Sequence, residues 1–177
     1  MKYVLAVTAA LMLSISSFAG TLQEGYQAVR DGNPEQGHTI LQPLAEKGNA
    51  DAQYAVAILY REGWGVEKNM ETAAGYYLKS ADQDHRDAMF EMGWLYQVGE
   101  GGVTKDYENS AKWYQKSAEK GHPAAMYGIA SFYYNGMGVE RDTDAAMSWY
   151  QKSAAAGFPP AQKFLDEVNK VNSMGPE

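Results

Sequence analysis

A block of 36 or 37 residues recurs along this chain, and a period of that length restricts the fold to stacked units that share one core. In Asp51-Ala52-Gln53, Asp87-Ala88-Met89, Ala124-Ala125-Met126 and Pro160-Ala161-Gln162 the central alanines lie 36, 37 and 36 residues apart. An apolar-Tyr pair follows in three of them (Leu59-Tyr60, Leu95-Tyr96, Phe132-Tyr133), then a glycine loop. The loops read Gly63-Trp64-Gly65-Val66, Gly99-Glu100-Gly101-Gly102-Val103 and Gly136-Met137-Gly138-Val139, so one extra glycine accounts for the longer spacing. A second block closes each unit: Tyr76-Tyr77-Leu78-Lys79-Ser80-Ala81, Trp113-Tyr114-Gln115-Lys116-Ser117-Ala118 and Trp149-Tyr150-Gln151-Lys152-Ser153-Ala154.

Each unit reads as two helices around its glycine loop, giving an all-α chain. Ala52, Val56, Leu59 and Tyr60 fall at helical spacing on one apolar face, repeated by Ala88, Met92, Leu95, Tyr96 and by Ala125, Ile129, Phe132, Tyr133. Small alanines let helices approach, and the glycines allow the left-handed backbone that reverses the chain. Asn69, Asp106 and Asp142 stand where the second helix starts, each with an acid two residues on (Glu71, Glu108, Asp144), which suits an N-cap and the helix dipole. Lys79, Lys116 and Lys152 lie toward the other end. Residues 20–48 read as a shorter helix pair turned at Asn33-Pro34-Glu35. Full units then cover 49–84, 85–121 and 122–157, and 158–177 forms a last helix and tail, with Ala161, Leu165 and Val168 in the core register. Removing that helix from Pro159 onward is expected to uncover Ile129, Phe132 and the helix that follows them.

Residues 1–19 have the form of a cleaved signal peptide. Lys2 gives a positive start, Tyr3 to Leu13 an apolar run too short to span a bilayer comfortably, and Ser17-Phe18-Ala19 a cleavage site between Ala19 and Gly20. The expected destination is the periplasm or the medium, with no membrane insertion after cleavage. With no cysteine in the chain, disulfides and a lipid-anchored N-terminal cysteine are both excluded. Fifteen basic residues against 22 acidic ones leave a net charge of −7, and no basic stripe that would attract a phosphate backbone is present. Nucleic acid is therefore not an expected partner.

The motif Ala…Leu-Tyr-x-x-Gly-x-Gly-Val…Trp-Tyr-x-Lys-Ser-Ala-x-x-Gly resembles the Sel-one-like repeat (SLR) family, relatives of the tetratricopeptide repeats, from Asn49 to Gly157. The shorter first unit is tetratricopeptide-like. The resemblance implies a right-handed superhelix of antiparallel helix pairs, and members that act as scaffolds or adaptors for other proteins. Departures are small. Asp84 stands where later units have Gly121 and Gly157, and Ala57 and Ala130 replace the helix glycine kept as Gly93.

Reactive constellations are scarce. His85 and His122 share one repeat position, yet no third ligand joins them, so they read as polar residues at equivalent turns, and neither a metal nor a cofactor is expected. Ser117-Ala118-Glu119-Lys120 has the Ser-x-x-Lys spacing without its partner motifs, and Ser117 is repeat-equivalent to Ser80 and Ser153. Gly99-Glu100-Gly101-Gly102 follows a helix rather than a strand, unlike a dinucleotide loop.

The sharper signal is a column on the first helices: Tyr54, Phe90 and Tyr127, with Ile58 and Arg61, Trp94 and Gln97, Ser131 and Tyr134 following at helical spacing. These positions lie off the Ala52/Val56/Leu59 stripe, so Trp94 is expected outside the core, whereas Tyr76, Trp113, Trp149 and Tyr77, Tyr114, Tyr150 are expected within it. The expectation is a non-catalytic exported adaptor. Its protein or peptide partner would sit in a concave groove lined by Tyr54, Ile58, Arg61, Phe90, Trp94, Gln97, Tyr127 and Tyr134. The alternatives are an exported small-ligand protein or hydrolase using the groove as a pocket, and a structural role through self-association.

Overall fold

The computed structural model describes residues 21–173, apart from the side chain of Asn172; the expected signal peptide and its Ala19–Gly20 junction lie outside them. The described residues form helices joined by turns, without strands: α1 Leu22–Arg30, α2 Pro34–Glu46, α3 Ala50–Glu62, α4 Met70–Ala81, α5 Arg86–Val98, α6 Tyr107–Glu119, α7 Pro123–Asn135, α8 Thr143–Ala155 and α9 Pro159–Ser173. The chain divides into two compact units, one ending at Tyr76 and one beginning at Tyr77.

Local chemistry sets the helix ends. Thr21 and Glu24 form a capping box on α1, and the side chains of Asn49, Asn69, Asp106 and Asp142 accept the N–H three residues on. The first helices α3, α5 and α7 end at Gly63, Gly99 and Gly136, all left-handed, whose N–H bonds back to Leu59, Leu95 and Phe132.

In the first unit, Leu41, Ala45, Ala52, Ala55, Val56 and Leu59 form the buried cluster, with Leu22, Tyr26, Val29, Tyr60 and Tyr76 packed on it. In the second, Ala111, Tyr114, Ala118, Ala125, Ile129 and Phe132 form one cluster and Ala130, Ala146 and Tyr150 another. The leading alanine and the two apolar positions after it in each first-helix stripe are core, whereas Tyr60, Tyr96 and Tyr133 at its end are half-buried. Within a repeat the second helix is latched to the first by serine. Ser117 Oγ donates to the carbonyl of Arg86 (2.8 Å) and Ser153 Oγ to that of Pro123 (2.7 Å), both serines being fully buried.

The structure departs from sequence expectation at three places. Only the second aromatic of each pair is core: Tyr77, Tyr114 and Tyr150 are buried, whereas Tyr76, Trp113 and Trp149 are half-exposed, because adjacent positions on a helix face different directions. Lys116 and Lys152 lie over the exposed faces of Trp113 and Trp149, 4.5 and 4.1 Å from the ring centres. Trp94 is not free of the core; it is half-buried against the Ala111–Phe132 cluster. The last helix is held by Phe164, tilted over Tyr150 at 4.1 Å and edge-on to Tyr134, and by Leu165, so its removal uncovers Tyr150 on the helix that follows, together with Tyr134, rather than Ile129 and Phe132. Asp84, at the glycine position, keeps the left-handed backbone of its counterparts (φ 67) and pairs with Lys120 at 3.2 Å.

The loop glycines do more than reverse the chain. Gly65 and Gly138 each lie flat on the head of the second helix one repeat back. A Cβ at Gly65 would overlap the backbone of Pro34 and Glu35, and one at Gly138 the backbone of Tyr107 and Glu108. Gly157 is equally left-handed (φ 82) but faces open space. Gly138→Ala should therefore cost at least about 2 kcal/mol more than Gly157→Ala, which adds only the left-handed penalty of about 1–2 kcal/mol. Urea melts of the two variants measure the difference; equal losses would mean the loop can move away.

Candidate functional site

Neighbouring first helices leave a cleft between them, and each unit shows one. In the second unit Phe90 and Gln97 of α5 face Tyr127, Gly128 and Ser131 of α7 across a cleft of about 230 Å³ floored by Tyr114 and Phe132 and closed by Phe158. The Tyr114 ring reaches this place because two glycines make room, its atoms lying 2.6 Å from where a Cβ of Gly93 would be and 3.2 Å from one at Gly128. Its hydroxyl donates to Gln97 Oε1 (2.7 Å), and burial raises its pKa well above the usual phenol range. Burial likewise pushes Tyr150 up to about 12.

In the first unit Tyr26, Val29 and Arg30 of α1 face Tyr54, Ala55 and Ile58 of α3, with Leu41 and Leu59 beneath and Trp64 at the rim, around about 310 Å³. Five of the eight residues of the sequence-expected groove thus fall in two groups, and three lie in neither cleft. Tyr54 and Ile58 line the first cleft; Phe90, Gln97 and Tyr127 line the second. Arg61 is half-buried beside Glu62 (2.7 Å), Trp94 packs on the core cluster, and Tyr134 is 37% exposed against Phe164. The members are neither plain core nor free surface. Phe90 is stacked on His122 at 4.5 Å and tilted on Tyr114, and Tyr127 lies against Tyr150 and Phe158, yet all remain half-exposed.

The paired histidines have a role that spacing alone did not expose: they are N-caps. His85 Nδ1 accepts the N–H of Ala88 (3.2 Å) and His122 Nδ1 that of Ala125 (3.1 Å), occupying the place that Asn49 holds on α3. His122 Nε2 lies 3.7 Å from Asp87. A lone pair spent on a helix amide is not offered to a metal, and among the described residues no group of three or more His, Asp or Glu converges on one point. His38, the third, sits edge-on to Tyr60 at 5.7 Å. Ser117 is equally committed, its hydroxyl being the latch to Arg86.

A histidine cap works only when neutral. Burial, and secondarily Arg86, holds the His122 pKa below its ordinary 6.5 against the opposing pull of Asp87. The unfolded chain therefore takes up the proton first, and stability present above about pH 6.5 is lost as pH falls toward the folded-state pKa. His122→Asn, which caps at any pH, should remove about 1 kcal/mol of the loss between pH 7 and 5. Thermal melts across that range test it; an unchanged pH slope would show the cap does not titrate.

With this geometry in hand, comparison with known proteins decides the family. The Sel1 repeat profile matches residues 50–85, 86–122 and 123–158, more than half of the chain. The chain belongs to the Sel1 repeat family. A Sel1 repeat protein from Oxalobacter formigenes is 33% identical with a TM-score of 0.75, over 79% of this chain and 55% of that one. A protective antigen of uropathogenic Escherichia coli strains that displays an SLR fold is 27% identical with a TM-score of 0.78, over 90% of this chain and 36% of that one. Among curated proteins, the ERAD-associated E3 ubiquitin-protein ligase component HRD3A of Arabidopsis thaliana is 31% identical over 67 residues, 38% of this chain. The chain spans only 10% of that relative's length. The fold is thus that of the SLR solenoids. Sel1 repeats typically mediate protein–protein interaction and are generally non-catalytic scaffolds, and no described helix is long and apolar enough to cross a membrane.

Proposed function

We propose that this protein is an exported, non-catalytic scaffold that holds a protein or peptide partner on the clefts between its first helices. The observation that carries the reading is the repeated half-burial of Tyr54, Phe90 and Tyr127. Aromatic rings are fixed by neighbours at one edge and open to a cleft at the other. Rigid, partly desolvated aromatics lose little entropy on binding and dominate interface energetics. Export rests on the Lys2, Tyr3–Leu13 and Ser17-Phe18-Ala19 pattern.

Capture of envelope proteins by the chain from Gly20 onward supplies the partner, and variants then locate its seat. Phe90→Ala should weaken capture about 30-fold and Tyr54→Ala about 10-fold, equivalent to ~2 and ~1.4 kcal/mol. Phe90 also packs on Tyr114 and His122, so its variant should melt somewhat earlier and is assayed well below its midpoint. Undiminished capture by both variants, with loss on Trp113→Ala or Trp149→Ala, would move the interface to the second helices. Secreted product should begin at Gly20, and full-length chain recovered in membranes would contradict export.

A further inference from the structure

The two clefts occupy the same place in the repeat, which makes their differences informative. In the second unit Ser110 Oγ donates to the carbonyl of Gly93 (2.7 Å), and a Cβ of Gly93 would touch Tyr114. In the first, a Cβ at Gly37 would lie 3.2 Å from the carbonyl of Gly25, and one at Gly25 would touch Leu41 at 2.6 Å. These contacts superpose Gly25 on Gly93, Gly37 on Ser110 and Leu41 on Tyr114. Val29 then takes the place of Gln97, and Ile58 that of Ser131. Both ends of the Tyr114–Gln97 hydrogen bond are thus replaced by aliphatic side chains, and the serine hydroxyl is gone.

Two consequences follow. A phenol ring that fills the second cleft has no counterpart in the first, where fully buried Leu41 ends short and the space is 310 rather than 230 Å³. The vacated space is walled almost wholly by carbon, so filling it with a polar group would cost desolvation without return. At its edge stands Arg30. Nη2 donates to Gln27 Oε1 (3.0 Å), and among the described residues no carboxylate pairs with the guanidinium, although carboxylates outnumber cations in the chain. Trp64, 49% exposed, forms the facing rim.

Resting on the partner-binding reading above, we infer that the cleft of the first unit is an anchor pocket for a bulky apolar side chain of the partner, phenylalanine in size, with an aspartate or glutamate next to it in the partner's sequence. The apolar side chain takes the volume that Tyr114 fills in the other unit, and the adjacent carboxylate meets Arg30 in a charge-assisted hydrogen bond. Specificity then comes from both features together.

The test uses the chain from Gly20 onward, labelled with ¹⁵N and with ¹³C methyl groups, and three blocked tetrapeptides: acetyl-Ala-Phe-Glu-Ala-amide and its Phe-Gln and Ala-Glu counterparts. The Phe-Glu peptide should shift the Trp64 indole and the Leu41 and Ile58 methyl signals in a saturable way. The Phe-Gln peptide should bind at least about 5-fold more weakly, and the Ala-Glu peptide should not saturate. Arg30→Gln, at an exposed position, should bring Phe-Glu down to the Phe-Gln level; Ile58→Trp should abolish the shifts by filling the cleft. Equal binding of Phe-Glu and Phe-Gln by the unmodified chain, or indifference to Arg30→Gln, would overturn the assignment. Shifts confined to Gln97 and Ser131 would overturn it too while leaving the partner-binding reading intact, because they place the peptide in the other cleft. Undiminished binding by a folded Ile58→Trp variant would likewise overturn it.

Discussion

A glycine pressed flat against the peptide backbone of the preceding repeat is the constraint on which the other dimensions of this protein depend. Gly138 on Tyr107 and Gly65 on Pro34 leave no room for a β-carbon, and backbone, unlike a flexible side chain, cannot step aside. The contact fixes how far one repeat is set from the next, and hence how wide a cleft opens between successive first helices. Where Tyr114 fits between Gly93 and Gly128, that width is one aromatic ring. The same width with Leu41 in place of tyrosine leaves a ring-sized space.

Inside each repeat the helices are held by small polar latches as much as by apolar area. Ser110, Ser117 and Ser153 are fully buried and each donates to a main-chain carbonyl of the paired helix, so the hydroxyl's desolvation is offset and the helices stay in close register. Alanines at Ala52, Ala88, Ala125 and Ala161 then allow the close approach that the latches require. In a chain without cysteine, this combination of close-packed alanine, buried tyrosine and serine latch takes the part that disulfides play in small disulfide-rich domains.

Much of this was legible in the sequence, because repetition turns weak local signals into strong ones. Asn69, Asp106 and Asp142 announce helix starts by their chemistry, and the Ala52/Val56/Leu59 stripe announces the buried face by its period. What stayed hidden depends on depth and register. Helical spacing assigns Trp94 to a face but not to a depth, and its large ring reaches the core cluster from the side. His85 and His122 cap helices with a ring nitrogen, a less common acceptor than the asparagine of Asn49, so their shared position carried little signal on its own. Phe164 falls where the preceding repeat has Gly128, and a terminal helix needs bulk there only because nothing further stacks on it. The first repeat turns more tightly than the others, so that the match of Leu41 to Tyr114 emerges only from contacts.

The central claim is that the first helices form the working surface and the second helices support it. Hydrogen exchange of the chain with its captured partner bound tests this directly, read as the change in protection at each helix. Added protection should fall on α3, α5 and α7, around Tyr54, Phe90 and Tyr127, and leave α6 and α8 as they are in the free chain. Protection gained instead on α6 and α8, around Trp113 and Trp149, would contradict it.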